Sequence, residues 1–414
     1  MEKEIKVALI GLCSAVLVAL IGLIGVLISR QKKKAASEAK PEPTQSQANS
    51  QGAVQMAGTS VGGNQVIVTG PYNAAPAATP VQSAIHPDKP GHSYRMGEVY
   101  AEHLDYRKAR DFYEQSAAEH MQATGPASID RADALRSAGI KHWELAEYKE
   151  AIDCYLEAKA IYRQEPNENQ ANIAATYNNI AVVYDEQGEY DEALECYFKA
   201  LAIREKVLGE EHPDTAATYN NIAIVYKEQG KYDKALEWYF KALAAKEKIL
   251  GKEHPSTAAT YNNIACVYEE QGECEKALKW CFKALAIDEK VSGTGHPDTA
   301  ADYNNIAIVY RKQDKYDKAL EWYFKALAAK EKVLGKEHPS TAATYNNIAC
   351  VYDAQGKYEK ALELYIKAYR IGLAVFGPEH PDTKMYRQNM ANTYKSAKRK
   401  QPFDDWLAAQ TQGG

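Results

Sequence analysis

One pair of carboxamide side chains recurs at a fixed interval in this chain of 414 residues. The segment Tyr-Asn-Asn-Ile-Ala occurs five times, 42 residues apart, and begins at Tyr177, Tyr219, Tyr261, Tyr303 and Tyr345. A carboxamide can donate and accept hydrogen bonds together, so it can hold both the C=O and the N–H of an extended peptide. The asparagines therefore indicate binding chemistry rather than catalysis.

A histidine recurs with the same period, each time immediately before a proline. The five copies are His212, His254, His296, His338 and His380. Successive copies would lie about one layer of helices apart, roughly 8–10 Å, which is too far to share a metal ion. Proline is favoured in the first turn of a helix. We interpret the histidines as parts of helix-start turns and predict no metal site.

Sequence motifs of common enzymes are missing from the chain. It has no glycine-rich phosphate loop, no HExxH segment and no GxSxG segment, which are arrangements that position phosphates, zinc or a nucleophilic serine. We therefore expect a protein that is not an enzyme and that needs no cofactor. The mild net charge of −5 gives no reason to expect a nucleic-acid partner.

The seven cysteines form no CxxC pair. They are Cys13, Cys154, Cys196, Cys266, Cys274, Cys281 and Cys350. Cys266 and Cys350 occupy a position at which other copies of the repeat have Ile224 and Ile308. We interpret most of the cysteines as small hydrophobic residues in a reducing compartment.

Each 42-residue unit has the pattern of two helices. In the first clear copy, apolar residues at helical spacing predict one helix over Ile173–Gln187 and another over Tyr190–Leu208. Gly188 suits the left-handed turn between them, and Pro213 suits the start of the next helix. Units of this length stack into solenoids, so we predict an all-α chain of stacked helix hairpins.

The repeated residues resemble the tetratricopeptide repeat, and the 42-residue spacing with its Leu-Gly-x-Glu-His-Pro linker resembles the kinesin light chain type. The best copies are 217–223, Ala-Thr-Tyr-Asn-Asn-Ile-Ala, and 232–236, which begins Tyr-Asp-Lys-Ala-Leu. The resemblance extends from Leu135 to Tyr394. It implies a right-handed α-solenoid whose first helices line a concave groove. The coiled coil expected before the repeats of a kinesin light chain is absent, which argues against a motor adaptor.

The array extends beyond the five clear copies. Segments 106–113 and 148–155 repeat the Tyr, Ala and Tyr pattern of 190–197, giving two degenerate units and about seven hairpins in total. Phe403, Trp406 and Leu407 predict a short C-terminal capping helix. We divide the chain into an N-terminal tail (1–6), a transmembrane helix (7–29), a basic cluster with a disordered linker (30–90), a degenerate first repeat (91–134), tetratricopeptide repeats (135–385) and a C-terminal half-repeat with cap and tail (386–414).

The N-terminal segment Val7–Ser29 contains 23 uncharged, mostly apolar residues. About 20 such residues cross a bilayer as a helix. Arg30 and the lysines at 32–34 follow directly, and this excess of positive charge places the repeats in the cytoplasm. We predict a single-pass protein of the bacterial inner membrane. The linker is rich in Ala, Pro, Gln and Ser, which favours a disordered tether.

The resemblance implies a peptide-binding role for the asparagines on the first helices. We predict backbone contacts from the first asparagine of each motif, Asn178, Asn220, Asn262, Asn304 and Asn346, and weaker ones from the second, Asn179, Asn221, Asn263, Asn305 and Asn347. Charges near the end of the same helices vary between copies and could select ligand side chains. These are Asp185, Lys227, Glu269, Arg311, Lys312 and Asp353.

The sequence thus predicts a membrane-tethered scaffold that binds an extended segment of a protein partner in its groove. Two alternatives stay open. The solenoids could associate with one another to organise a membrane patch, or the array could be the sensor or adaptor subunit of a signalling system.

Overall fold

The computed structural model describes residues 92–103 and 105–411, where the chain forms sixteen α-helices and no strand. The helices are α1 (His92–Glu102), α2 (Tyr106–Thr124), α3 (Ile129–Glu144), α4 (Tyr148–Tyr162), α5 (Gln170–Glu186), α6 (Tyr190–Leu208), α7 (Pro213–Glu228), α8 (Tyr232–Ile249), α9 (Pro255–Glu270), α10 (Cys274–Val291), α11 (Pro297–Lys312), α12 (Tyr316–Val333), α13 (Pro339–Ala354), α14 (Tyr358–Phe376), α15 (Pro381–Ser396) and α16 (Phe403–Thr411). Helices α1 to α14 pair into seven hairpins, so the all-α solenoid and its hairpin count are confirmed.

The boundaries of each first helix follow from local chemistry. In α7, His212 caps the start by accepting a hydrogen bond from the backbone N–H of Asp214, and Pro213 occupies the first turn. The turn between the first and second helices needs a positive φ, which Gly188 supplies at 75°. Asp314 adopts φ 56° at the equivalent turn after α11, a conformation that aspartate tolerates better than most residues.

Small residues set the distance between the two helices of a hairpin. Ala181 on α5 and Ala193 on α6 are fully buried, and Tyr197 fills the space beside them. In the degenerate second hairpin, a Cβ added at Gly139 would lie 2.6 Å from the Tyr155 ring. Close contact of this kind leaves no room for a larger residue.

Tyrosines link each hairpin to the next one. The hydroxyl groups of Tyr219, Tyr261, Tyr303 and Tyr345 donate to Glu205, Glu247, Glu289 and Glu331 on the preceding second helix, at 2.5–2.7 Å. The loops before α7, α9, α11 and α13 are each held by a threonine, as in Thr215, which donates to the carbonyl of Gly209 at 2.8 Å. The tyrosine of the repeated motif is therefore a stacking residue.

First helices of neighbouring hairpins also contact one another directly, as α3 does with α5, α9 with α11, and α13 with α15. Among the described helices, second helices of neighbouring hairpins do not contact to this extent. The first helices therefore lie on the inner side of the stack, as expected from the sequence. The predicted right hand of the solenoid stays a prediction.

The predicted C-terminal cap is confirmed. In α16, Trp406 and Leu407 are buried against Tyr394 of α15 and against α14 residues such as Leu362. The predicted division points at 134 and 386 fall inside α3 and α15, because the sequence period locates a repeat but not the end of a helix. The boundaries between repeats are therefore given by the ends of the helices.

The predicted transmembrane helix (7–29) and linker (30–90) lie outside the described residues. Within the described part of the chain, no helix combines the length and apolar character needed to cross a membrane.

Candidate functional site

The two asparagines of the motif form a row of separate hydrogen-bonded pairs between neighbouring first helices, which we call the asparagine ladder. The second asparagine of one hairpin donates from Nδ2 to Oδ1 of the first asparagine in the hairpin before it. The pairs are Asn221 to Asn178 at 3.2 Å, Asn263 to Asn220 at 2.9 Å, Asn347 to Asn304 at 3.1 Å and Asn389 to Asn346 at 3.0 Å. Both asparagines therefore tie neighbouring hairpins together.

Of the four ladder pairs, Asn220 and Asn263 are the pair whose two partners are both half-buried and keep hydrogen-bonding capacity within reach of solvent. An asparagine has two N–H donors and an oxygen with two lone pairs, and one ladder bond uses one donor and one acceptor site. At the junction of α7 and α9, the NH₂ group of Asn220 and the oxygen of Asn263 are not engaged in the ladder bond. One donor and one acceptor is the pair of groups that an extended peptide backbone requires.

The ladder is interrupted between α9 and α11. Asn262 donates to a carboxylate oxygen of Asp302 rather than receiving a bond from Asn305. Its own Oδ1 is buried without a partner. Asp302 occupies a position at which the other clear copies have Thr176, Thr218, Thr260 and Thr344. One threonine-to-aspartate difference thus redirects the ladder at this junction.

The ladder asparagines differ in how far they reach solvent. Asn179, Asn220, Asn262 and Asn263 are half-buried, whereas Asn178, Asn221, Asn304, Asn305, Asn346 and Asn347 are buried. Beside them, α7 and α9 each have an alanine that solvent reaches: Ala217 is half-buried and Ala259 is exposed. The sequence did not single out these alanines, although their spacing of four residues before the second asparagine places them on its face.

The charged residues proposed for selectivity are engaged in contacts between hairpins. Lys227 lies 2.8 Å from Glu228 and 3.9 Å from Glu270 of the next first helix. Lys312 pairs with the buried Glu269 at 2.6 Å. Burial raises the pKa of the Glu270 carboxyl, an effect that nearby Lys227 partly offsets. These charges therefore stabilise the stack, because equivalent positions on adjacent first helices are neighbours in space.

The other charged candidates lie in the same region. Asp185 is buried, and Asp353 has a buried Oδ1 without a hydrogen-bond partner. Arg311 lies beside the hydroxyl of Tyr323. Selection of ligand side chains by these groups stays a prediction, and it would require their present contacts to rearrange.

A row of buried cations was missed by the sequence analysis. Arg204 donates to Thr218 at 2.6 Å, Lys246 to Thr260 at 2.9 Å and Lys330 to Thr344 at 3.0 Å. Burial lowers the pKa of Lys246 and of Lys330 to about 8. Each cation also donates to a carbonyl in the first turn of the next helix, which is a structural role. Comparing position 204 with its equivalents 42 residues apart would have found the row.

The histidines are confirmed as helix-start residues. Nδ1 of each of the five accepts a hydrogen bond from the backbone N–H two residues later, at 3.0–3.2 Å. Among the described residues, no group of three or more potential metal ligands comes together. The six cysteines in the described ranges are free thiols, while Cys13 lies outside them.

Seven stacked hairpins with an inner face of first helices define a helical repeat protein of the solenoid class. The chain belongs to the tetratricopeptide repeat family, whose model matches residues 91–164, 172–248, 229–281, 257–332, 298–374 and 354–402. Repeats of this family are typical of scaffolds for protein–protein interaction. No curated protein sequence matches the chain.

Solved structures include several similar repeat proteins. BtubC (BKLC) from P. vanneervenii is 26% identical, and the match covers 57% of this chain and 92% of that chain at a TM-score of 0.47. A putative kinesin light chain from Podosopora anserina with nearly identical TPR-like repeats is 28% identical, with 50% and 98% coverage and a TM-score of 0.43. Aspartyl phosphate phosphatase F from Bacillus subtilis is 16% identical, covers 70% of each chain and has a TM-score of 0.53, a likeness of fold.

Proposed function

We propose that the repeats bind an extended segment of a partner protein along the inner face, in contact with the asparagine ladder. The observation that carries this proposal is the spare donor and acceptor at the half-buried junction of Asn220 and Asn263. The ladder bonds fix these groups before a ligand arrives, so little side-chain entropy is lost when a peptide binds. In this function the chain is a scaffold and not an enzyme.

The geometry of the stack matches an extended ligand. Packed helices lie about 8–10 Å apart, and an extended chain advances roughly 3.3 Å per residue. Each junction could therefore serve two or three ligand residues. A hydrogen bond contributes about 1 kcal/mol net, and ordering a flexible peptide costs several kcal/mol. We expect micromolar affinity for a segment that spans several junctions.

The first prediction concerns where the partner lies. A photo-crosslinking amino acid at position 217 or 259, on the inner face, should capture a partner in cells. The matched control places it at 240, because Phe240 is exposed on a second helix. Mass spectrometry then compares the captured proteins. Capture from position 240 alone would refute the inner face as the binding surface.

The role of the carboxamides needs a separate variant. Asn220→Ala combined with Asn262→Ala should weaken capture from position 259 by about tenfold or more, which corresponds to a loss of about 1.4 kcal/mol. Circular dichroism checks that the helices of the variant stay folded at the assay temperature. A folded variant with unchanged capture would show that the partner does not use the asparagines.

We also propose that the segment 7–29 anchors the array in a membrane with the repeats in the cytoplasm. The proposal rests on the apolar run and on the positive charges that follow it. The second prediction is that the full chain sediments with membranes, and that removing residues 7–29 moves it to the soluble fraction. Protease added to intact cells should leave the repeats uncut, with lysed cells as the control. Digestion of the repeats in intact cells would show that they lie outside the cytoplasm and would contradict the proposed orientation.

A further inference from the structure

An open pocket of about 530 Å³ lies between the second and third hairpins, away from the asparagine ladder. Its floor is apolar, with Ile173 and Tyr177 from α5 and Ile203 from α6. Basic side chains line its rim: Arg163 follows α4, and Lys199 and Lys206 belong to α6. The pocket arises where the second, degenerate repeat meets the first clear one.

Two cations beside the ring of Tyr177, Arg163 on the pocket rim and Lys159, replace residues that are not basic in the other clear junctions. Arg163 occupies the position of Glu205, Glu247, Glu289 and Glu331, the carboxylates that accept from the stacking tyrosines. Here Arg163 donates to the hydroxyl of Tyr177 instead. Lys159 occupies the position of Leu201, Leu243, Leu285 and Leu327. The change at these two positions turns an acidic and apolar junction into a basic one.

Two further differences create the space. Cys196 occupies the position of Trp238, Trp280 and Trp322, whose rings lie 5.4–5.7 Å from the equivalent tyrosines. A cysteine is much smaller than an indole, so less side chain packs against Tyr177 from this position, although Tyr177 itself stays buried at 6% exposed. Helix α4 also ends at Tyr162, whereas α6 continues to Leu208, four residues beyond the equivalent position. Pro166, which stands where α6 has Leu208, lines the pocket instead.

The cations gather round a single aromatic ring. The Nζ atoms of Lys159 and Lys199 lie 4.9 and 5.8 Å from the centre of the Tyr177 ring, and the guanidinium of Arg163 lies at 5.7 Å. Within the described ranges, Glu195 is the one carboxylate in an ion pair with this set, through Lys199. Burial lowers the pKa of Lys159, and repulsion from Arg163 and Lys199 lowers it further. The three positive charges around Tyr177 are thus only partly neutralised by carboxylates.

We propose that this pocket binds a phosphate monoester with an apolar or aromatic body, the body against Ile203 and the pocket-facing edge of Tyr177 and the phosphate between Arg163 and Lys199. A phosphate monoester carries nearly two negative charges at neutral pH, which matches the surplus of positive charge better than a single carboxylate does. The fork of a guanidinium suits bidentate bonds to phosphate.

Calorimetric titration of the purified full chain tests the proposal, and this is the third prediction. The probe is phenyl phosphate, compared with inorganic phosphate, which lacks the body, and with benzoate, which lacks the second charge. We expect phenyl phosphate to bind at least tenfold more tightly than either. A phosphotyrosine peptide, titrated alongside, distinguishes a phosphorylated side chain from a small free ligand. Equal binding of all probes would overturn the proposal.

Substitutions that copy the other repeats provide variants expected to fold. Arg163→Glu restores the common tyrosine partner and should weaken phenyl phosphate binding at least tenfold. Cys196→Trp restores the common indole and should abolish binding by filling the pocket. The matched pair Lys199→Ala and Lys241→Ala removes equivalent lysines from this junction and from the next one, and the first alone should weaken binding several-fold. Unchanged binding in Arg163→Glu and Cys196→Trp would overturn the proposal, because thermal unfolding shows directly whether they are folded.

Discussion

At the residue scale, one substitution within a repeat changes the chemistry of a whole junction. Asp288 occupies the position of the buried cations Arg204, Lys246 and Lys330, and Asp302 occupies the position of the threonines to which they donate. Both carboxyl groups are buried and lie within hydrogen-bond reach of each other. Two adjacent carboxylates repel strongly in a buried site, so we expect one of the two to keep its proton at neutral pH.

This pair gives the junction of α10 and α11 a distinct pH dependence. Burial and the adjacent Asp288 raise the pKa of the Asp302 carboxyl to about 8. His296 and the exposed Asp298 are the other titratable groups that act on Asp288. Because the folded pKa of Asp302 lies above its ordinary value, the folded state holds a proton that the unfolded chain has released. The contribution of Asp302 to stability is therefore fully present below about pH 4 and is lost as the pH rises towards 8.

The fourth prediction is that Asp302→Asn removes part of this dependence. At pH 5 the variant and the natural chain should have similar unfolding midpoints, whereas at pH 8.5 the variant should be more stable by about 1–3 kcal/mol. The control, Asp298→Asn, removes a nearby exposed carboxylate and should not change with pH in this way. Chemical denaturation at a series of pH values measures both. A constant difference between Asp302→Asn and the natural chain from pH 5 to 8.5 would contradict the retained proton.

At the element scale, most of the fold could be predicted from periodicity. The predicted second helix Tyr190–Leu208 has the bounds of α6, and the predicted first helix Ile173–Gln187 differs from α5 by three residues at its start and one at its end. Apolar spacing and turn residues determine these elements locally. The early end of α4 was not predicted, because 163–169 lacks the Gly and His-Pro signals that mark the other boundaries.

The residue types of the candidate site could be predicted from the sequence, but which side chains bond to one another could not. A period of 42 residues shows that Asn178 and Asn220 are equivalent, but it does not show that Asn178 meets Asn221. Pairing across hairpins depends on the offset between adjacent helices, which is a property of the packed stack. For the same reason, the period does not show that Lys227 and Lys312 pair with glutamates on an adjacent first helix.

At the scale of the whole array, stability depends on contacts between neighbours. Each hairpin of such a stack contacts mainly the hairpins beside it, so folding stability is close to a sum of repeat and interface contributions. The last first helix, α15, has α16 on one side in place of another hairpin. Helix α16 is only nine residues long, too short to be stable alone in water. Cap and array therefore stabilise each other.

The fifth prediction is that Trp406→Ala loosens the C-terminal end of the array while leaving distant hairpins unchanged. Trp406 is 7% exposed, and its ring lies 4.7 Å from that of Tyr394. Removing a buried tryptophan side chain costs about 3–5 kcal/mol, and in a stack with nearest-neighbour coupling this loss stays local. Hydrogen exchange should accelerate in α15 and the first half of α14, but not in α5. Phe324→Ala, at an exposed aromatic residue, is the control and should have little effect. Equal acceleration in α5 and α15 would show that the array unfolds as one cooperative unit.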